Sequence, residues 1–143
     1  MLIAQILSQK GDQVYAIAGE ATLAQAARDL TDKRVGCIVV LDADGEMIGI
    51  HSERDIVRQL AERGAPCLND TVASVMSRSV ITLHVDETVD AGLSRMTDRR
   101  IRHLPVVREG RLIGLVSIGD LVKRKIEEVE VEAAAMRAYI ASG

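Results

Sequence analysis

The sequence predicts a mixed α/β fold built from two copies of a β-α-β-β-α unit and finished by an extended C-terminal helix. Two observations carry this reading. Residues 14 to 35, VYAIAGEATLAQAARDLTDKRV, realign on residues 80 to 101, VITLHVDETVDAGLSRMTDRRI, at an offset of 66, so that Thr22 meets Thr88 and Thr31-Asp32 meets Thr97-Asp98. Each copy then closes on one skeleton (Gly, apolar, any residue, Ser, two more residues, Asp, apolar), as GIHSERDI at 49 to 56 and GLVSIGDL at 114 to 121, at an offset of 65. Self-similarity in this order over this length marks an internal duplication.

Each copy opens with a short strand, about 14–17 and 80–83, where apolar residues precede a turn. A helix follows, about 22–33 and 88–99. Its apolar positions, Leu23, Ala26, Ala27 and Leu30 against Val89, Gly92, Leu93 and Met96, recur at the spacing of one helical face. Two strands come next, about 37–41 with 46–51 and 103–107 with 111–116, joined by Asp42-Ala43-Asp44-Gly45 or by the shorter Arg108-Glu109-Gly110, which accounts for the one-residue fall in offset. The second helix starts near 53 and 118. The lead-ins also match, Ala4-Gln5-Ile6-Leu7 over Ala73-Ser74-Val75-Met76. One copy of roughly 55 to 60 residues is marginal alone, so two copies packed sheet to sheet, with pseudo-twofold symmetry, are expected to share a core.

That core is aliphatic. The 143 residues include no Phe, no Trp and two Tyr, with 48% hydrophobic and 27% charged residues. A formal charge of -3 and two aromatic residues offer neither the basic face nor the stacking platform that nucleic acid requires, so no nucleic-acid partner is expected. No basic segment leads into a long uncharged apolar run, so neither a signal peptide nor a membrane partner is expected and the protein is placed in the cytoplasm. Cys37 lies in an apolar run and Cys67 follows Pro66 in a loop; they read as a small hydrophobe and a loop thiol.

The repeated Ser-x-x-Asp has a structural explanation. A Ser at a strand-to-helix junction with an acid three residues on is a capping box, its carboxylate lying near the positive end of the helix dipole. It also has a functional one: free N–H groups and a hydroxyl at a helix start suit a phosphate, and a nearby carboxylate can accept from both hydroxyls of a ribose. The Gly three residues before each Ser is not required by a cap, which leaves the functional reading open beside the structural one.

The duplicated unit, the strand Arg102-His103-Leu104-Pro105-Val106-Val107 and the Gly-x-x-Ser-x-x-Asp endings together resemble a tandem pair of CBS domains, the Bateman module, over about residues 2 to 125. The resemblance implies a first repeat at 1–70, a second at 71–125, and a helical extension at 126–143. It also implies adenosine-containing ligands held in clefts between the repeats, with regulation of a partner protein instead of catalysis. AMP is the foremost candidate, with NAD(H), ATP or ADP and S-adenosylmethionine as rivals; no catalytic cofactor is implied. Carried over by position, one cleft takes Asp120 for the ribose, Ser117, Arg102 and His103 on the phosphate side, and Val35, Gly36, Cys37, Ile17 and Ala18 around the adenine. The mirror cleft takes Asp55, Ser52 and Arg54, with Ile101, Leu83 and His84 as its wall. Gly36 and Cys37 stand where the second repeat has Arg102 and His103, so the Asp120 cleft is expected to bind more tightly; a charge-assisted bond contributes about 1.5–3 kcal/mol. A proline common after the first strand is replaced, by Ala18 or Gly19 and by His84 or Val85, and Val39 stands where the second copy has Pro105.

His51, His84 and His103 show no metal-ligand spacing, no catalytic triad can be assembled around Ser52 or Ser117, and no phosphate-loop glycine pattern occurs, so no metal site and no enzyme are expected. The helix after Asp120 continues through Val122, Ile126, Val129, Ala133, Met136 and Ile140, spaced 4, 3, 4, 3, 4, a heptad seam flanked by Lys123, Lys125, Glu127, Glu128, Glu130 and Glu132. Such a seam suits pairing with a symmetry mate in a homodimer. The expected function is a stand-alone regulatory module that senses adenine nucleotides. The alternative is a ligand-independent dimerisation or scaffold protein.

Overall fold

The computed structural model describes all 143 residues, Met1–Gly143. The chain forms two compact units, Val14–Val80 and a discontinuous one made of Met1–Gln13 with Ile81–Gly143. The boundaries therefore differ from the 1–70 and 71–125 division: the first repeat's lead-in folds with the second repeat, and residues 71–80 stay with the first.

In the unit Val14–Val80, β1 (Ala16–Ala18) pairs in parallel with β2 (Cys37–Leu41), which pairs antiparallel with β3 (Met47–Ser52). Helices α2 (Leu23–Lys33) and α3 (Glu53–Arg63) follow β1 and β3, and a 3-10 turn (Ala65–Asn69) and the short α4 (Val72–Val75) complete the unit. The helical face predicted for α2 is the buried one: Leu23, Ala26 and Leu30 pack with Ile17, Ile38, Val40, Ile56, Val72 and Met76. Thr22 begins the helix by accepting the Gln25 N–H on its hydroxyl, which satisfies one otherwise unpaired donor of the first turn. Cys67 is not a loop thiol: the 3-10 turn carries it into this core, where it is 1% exposed.

The other unit repeats the plan. Strand β4 (Leu83–His84) pairs in parallel with β5 (His103–Arg108), and β5 pairs antiparallel with β6 (Arg111–Ser117). Helix α5 (Val89–Arg99) is capped by Thr88, and α6 (Ile118–Ser142) runs for 25 residues. Helix α1 (Ile3–Lys10) supplies Ile3, Ile6 and Leu7 to a core with Leu83, Val85, Val89, Met96, Leu104, Val106, Val116 and Leu121. Both opening strands start later than their apolar runs suggested, because ladder pairing begins only at Ala16 and Leu83.

The lead-ins explain the repeated glycines. A Cβ on Gly49 would lie 2.8 Å from the Ser77 carbonyl oxygen and 2.5 Å from Met76 Sδ, and one on Gly114 would lie 2.7 Å from Leu7 Cδ2. Leu7 and Met76 occupy matching places in the two lead-ins, so each glycine clears a path for the segment that crosses its strand. The glycine that seemed to argue for a ligand has a packing reason.

Candidate functional site

Both Ser-x-x-Asp sequences form the expected helix starts, and their surroundings differ. In the unit with α6, the Ser117 N–H donates to Asp120 Oδ2 at 2.8 Å and the Asp120 N–H donates to Ser117 Oγ at 3.2 Å. The next helix amide, Ile118 N–H, donates to the Arg102 carbonyl at 2.8 Å, and His103 lies directly across the ladder from Ser117. Arg102, His103, Ser117 and Asp120 thus converge where β5 begins and β6 hands over to α6. The sequence reading grouped these four, and the fold brings them together within one unit.

It also adds a residue. Lys10, at the end of α1, donates through Nζ to Asp120 Oδ2 at 2.7 Å and to the Leu115 carbonyl at 2.8 Å. Burial pushes the Asp120 carboxyl up, but the hydrogen bonds from Lys10 and Ser117 and the Lys10 charge outweigh it and hold the group below the usual carboxylate value. Position 115 in the second copy corresponds to Ile50 in the first, whose carbonyl accepts instead from the Ser77 backbone N–H at 2.9 Å. In one unit the lead-in strings an extended backbone along the strand edge; in the other a longer helix reaches the same edge with an ammonium. The two lead-ins differ in helix length, 8 residues in α1 against 4 in α4, and Ser79 stands where the first has Lys10; the alignment of Ala4–Leu7 with Ala73–Met76 could not reveal a side chain landing 110 residues away.

In the unit Val14–Val80, the Ser52 N–H donates to Asp55 Oδ2 at 2.9 Å, the Glu53 N–H donates to the Gly36 carbonyl at 3.0 Å, and Cys37 faces Ser52 across the ladder. Arg58 Nη1 reaches Asp55 Oδ1 at 3.4 Å, a cation the sequence reading did not name; Arg54 is exposed on the first turn. Cys37 is 2% exposed, and burial, helped by the Asp55 charge, pushes its thiol up to about 12, so it remains a neutral thiol. Beneath Asp55 lies His51, with no exposed surface and no hydrogen bond to either ring nitrogen; its Nδ1 is 3.5 Å from Asp55 Oδ2. Burial pushes the imidazole toward its neutral form, with Asp55 opposing. Val116 fills the matching place in the second copy.

Two wall residues need correction. Leu83 is 0% exposed and Ile17 is 8% exposed, each inside its own unit's core. Side chains alternate across a strand, so the neighbours Ala18 and His84, both exposed, present the other face. Val35, Gly36 and Ile101 are half-buried at the ends of the helix-to-strand connections. No group of three His, Cys, Asp or Glu side chains could hold a metal ion, and no helix is long and apolar enough to cross a membrane.

Comparison with known proteins gives this geometry its context. The chain is 33% identical over 126 residues to the mitochondrial CBS domain-containing protein CBSX3 of Arabidopsis thaliana, a match covering 85% of this chain and 61% of the plant protein. The crystal structure of a CBS-domain containing protein from Agrobacterium tumefaciens superposes with a TM-score of 0.85 at 37% identity, covering 87% of this chain and 92% of that one. Two similar structures hold ligands. A CBS domain protein from Pyrobaculum aerophilum, complexed with AMP, has a TM-score of 0.74, 28% identity and coverage of 84% and 89%. The CBS domain pair of protein MJ0100, in complex with 5′-methylthioadenosine and S-adenosyl-L-methionine, has 0.78, 26%, and coverage of 90% and 98%. The CBS domain family model matches twice, at residues 6–62 and 72–127, and the chain belongs to that family as a tandem pair.

Proposed function

We propose that the chain is a regulatory module that binds an adenosine-containing ligand, AMP foremost, at the Asp120 face, and that it acts as a homodimer reporting ligand state to a partner protein. The observation that carries this is the meeting of Lys10, Arg102, His103, Ser117 and Asp120 around one helix start, in a chain whose relatives include an AMP complex and an S-adenosylmethionine complex. A carboxylate has about four lone-pair sites. Two on Asp120 take the Ser117 amide and Lys10, leaving capacity for the paired hydroxyls of a ribose. The Ser117 hydroxyl, the guanidinium of Arg102, His103 and the ammonium of Lys10 are the groups that a phosphate would recruit. Asp55, with Gly36 and Cys37 where the other site has Arg102 and His103, makes a weaker site.

Lys10 gives the reading a mechanism. Its bonds to Asp120 and to the Leu115 carbonyl tie α1 to the candidate ribose acceptor, so a ligand whose ribose bonds to the free Oδ1 competes with Lys10 for the charge of the same carboxylate and loosens α1, or draws the ammonium to its phosphate. Either differential interaction lets occupancy bias the position of the N-terminal helix, which is what a signal requires. Residues 129 to 142 of α6, exposed throughout, favour the second reading, a dimerising scaffold without a ligand.

Calorimetric titration of AMP, ATP, NADH and S-adenosylmethionine into nucleotide-free protein tests this. Saturable binding should be lost in Asp120→Ala, which costs about 0.5–2 kcal/mol of stability as a helix-terminus change, and largely kept in Asp55→Ala. Equal affinity of Asp120→Ala and the parent chain removes the site assignment, and no binding of any of the four favours the scaffold.

A further inference from the structure

The C-terminal half of α6 leaves its unit. Leu121 is the helix's buried residue, and every position from Val129 to Gly143 is exposed. The seam is bare along its whole length: Val122 is 40% exposed, Ile126 54%, Val129 49%, Met136 60% and Ile140 68%. An isolated helix of about 12–15 residues is marginal in water, so a projecting stretch of this length with an apolar stripe calls for a partner helix. The charges beside the stripe identify which.

We infer that α6 pairs with α6 of a second copy as a parallel, in-register two-stranded coiled coil. This rests on the homodimer proposed above and gives it a geometry. The spacing places Ile126, Ala133 and Ile140 at heptad position a and Val122, Val129 and Met136 at d. Position g is then Lys125, Glu132 and Tyr139, and position e is Lys123, Glu130 and Arg137. In a parallel pair each g faces the partner's e five residues on. Lys125 meets the second copy's Glu130, and Glu132 meets its Arg137, so symmetry gives four pairs of opposite sign. In the antiparallel register that stacks the same layers, e faces e and g faces g. Glu130 then meets Glu130, Glu132 meets Glu132, and Lys123 meets Arg137. One sequence therefore satisfies its own charges in one direction and opposes them in the other, which is how flanking residues choose orientation. Lys125 also holds Asp90 of its own unit at 2.9 Å; its ammonium has three donors and can serve both.

Cross-linking distinguishes the arrangements. Cys37 and Cys67 are buried, so a cysteine introduced by Met136→Cys reports on the seam alone, and Met136 is exposed, so the change does not touch a core. Mild oxidation should link Met136→Cys chains to each other, while Ala134→Cys, off the seam, should not link. Sedimentation should show the parent dimer weakened about tenfold by Glu132→Lys, which sets like charges across both seams, and restored by adding Arg137→Glu. If Met136→Cys chains link only to Ile126→Cys chains, the pair is antiparallel and the inference fails. A dimer that survives deletion of residues 130–143 overturns the coiled coil while keeping the homodimer, and a monomer at all concentrations overturns both.

Discussion

At the scale of single residues, two buried or half-buried groups have environments that set their protonation. His51 is neutral in the fold because burial opposes its charge. Its folded pKa lies below the unfolded value of about 6.5, so on acidification below neutrality the unfolded chain takes up a proton that the folded chain refuses, and stability falls as pH falls. Thermal denaturation from pH 7 to pH 5 should therefore show a steeper loss for the parent chain than for His51→Val, which supplies the residue found at position 116. At pH 7 the variant should be more stable by on the order of 1 kcal/mol, because it removes two unpaired buried ring nitrogens. Identical pH slopes would remove His51 as the cause. Asp120 acts in the same direction in a more acidic window: its pKa is depressed, so its contribution is present above the ordinary carboxylate pKa and disappears as pH falls through the folded value. Lys10→Met should move the Asp120 titration upward in carbon-detected NMR. If Lys10 competes with the ribose, it should also change nucleotide affinity, whereas an unmoved titration would show that the ammonium does not hold the carboxylate in solution.

At the scale of elements, the sequence was most legible where a period or a cap decides the outcome. Thr22 and Thr88 mark helix starts that the structure places one residue later, the α2 and α5 apolar faces are the buried ones, and α6 follows from its heptads. The short first strands and the lead-in helices were less legible, since two or three ladder pairs and a helix of four residues leave almost no periodic trace. The candidate site was legible as Ser-x-x-Asp with Arg102 and His103, and illegible as Lys10, because nothing local links α1 to α6. The glycines sharpen the point. At Gly114 an added methyl meets the flexible end of Leu7, whereas at Gly49 it meets a backbone carbonyl that cannot rotate away. Gly49→Ala should cost more than Gly114→Ala, the pair falling near the 1–3 kcal/mol of overpacked cores. Equal midpoints in urea would show that the strand edge of the first unit yields as readily as a leucine rotamer.

For the whole molecule, the decisive feature is the reassignment of the lead-ins. Duplication suggests two self-contained blocks, yet residues 1–13 complete the second one. The apolar residues of α1 belong to the core of Leu83, Val89 and Leu121, and the backbone locks the join: Ile3 N–H donates to the Glu87 carbonyl at 2.9 Å and Val89 N–H to the Met1 carbonyl at 2.9 Å. Nearby, Arg95 chelates Glu87 at 2.6 and 2.9 Å, and its hydrogen bonds lower the Glu87 carboxyl to about 2. Deleting residues 1–10 should accordingly raise amide hydrogen exchange across 81–121 and spare 14–80. Exchange that rises first within 14–80 would contradict the division. No alignment of one repeat on the other could have shown this, because each lead-in resembles its counterpart whichever unit it joins.

The same reassignment fixes a timetable for synthesis. The block from Val14 to Val80 is continuous and can close as soon as it leaves the ribosome, whereas residues 1–13 emerge before it and lack their partners until Leu121 has been made. At about 5–20 residues per second, Ile3, Ile6 and Leu7 wait on the order of 5–20 s as an uncovered apolar segment beside a block that has already closed. Their partners arrive only after the whole of the intervening unit has been made.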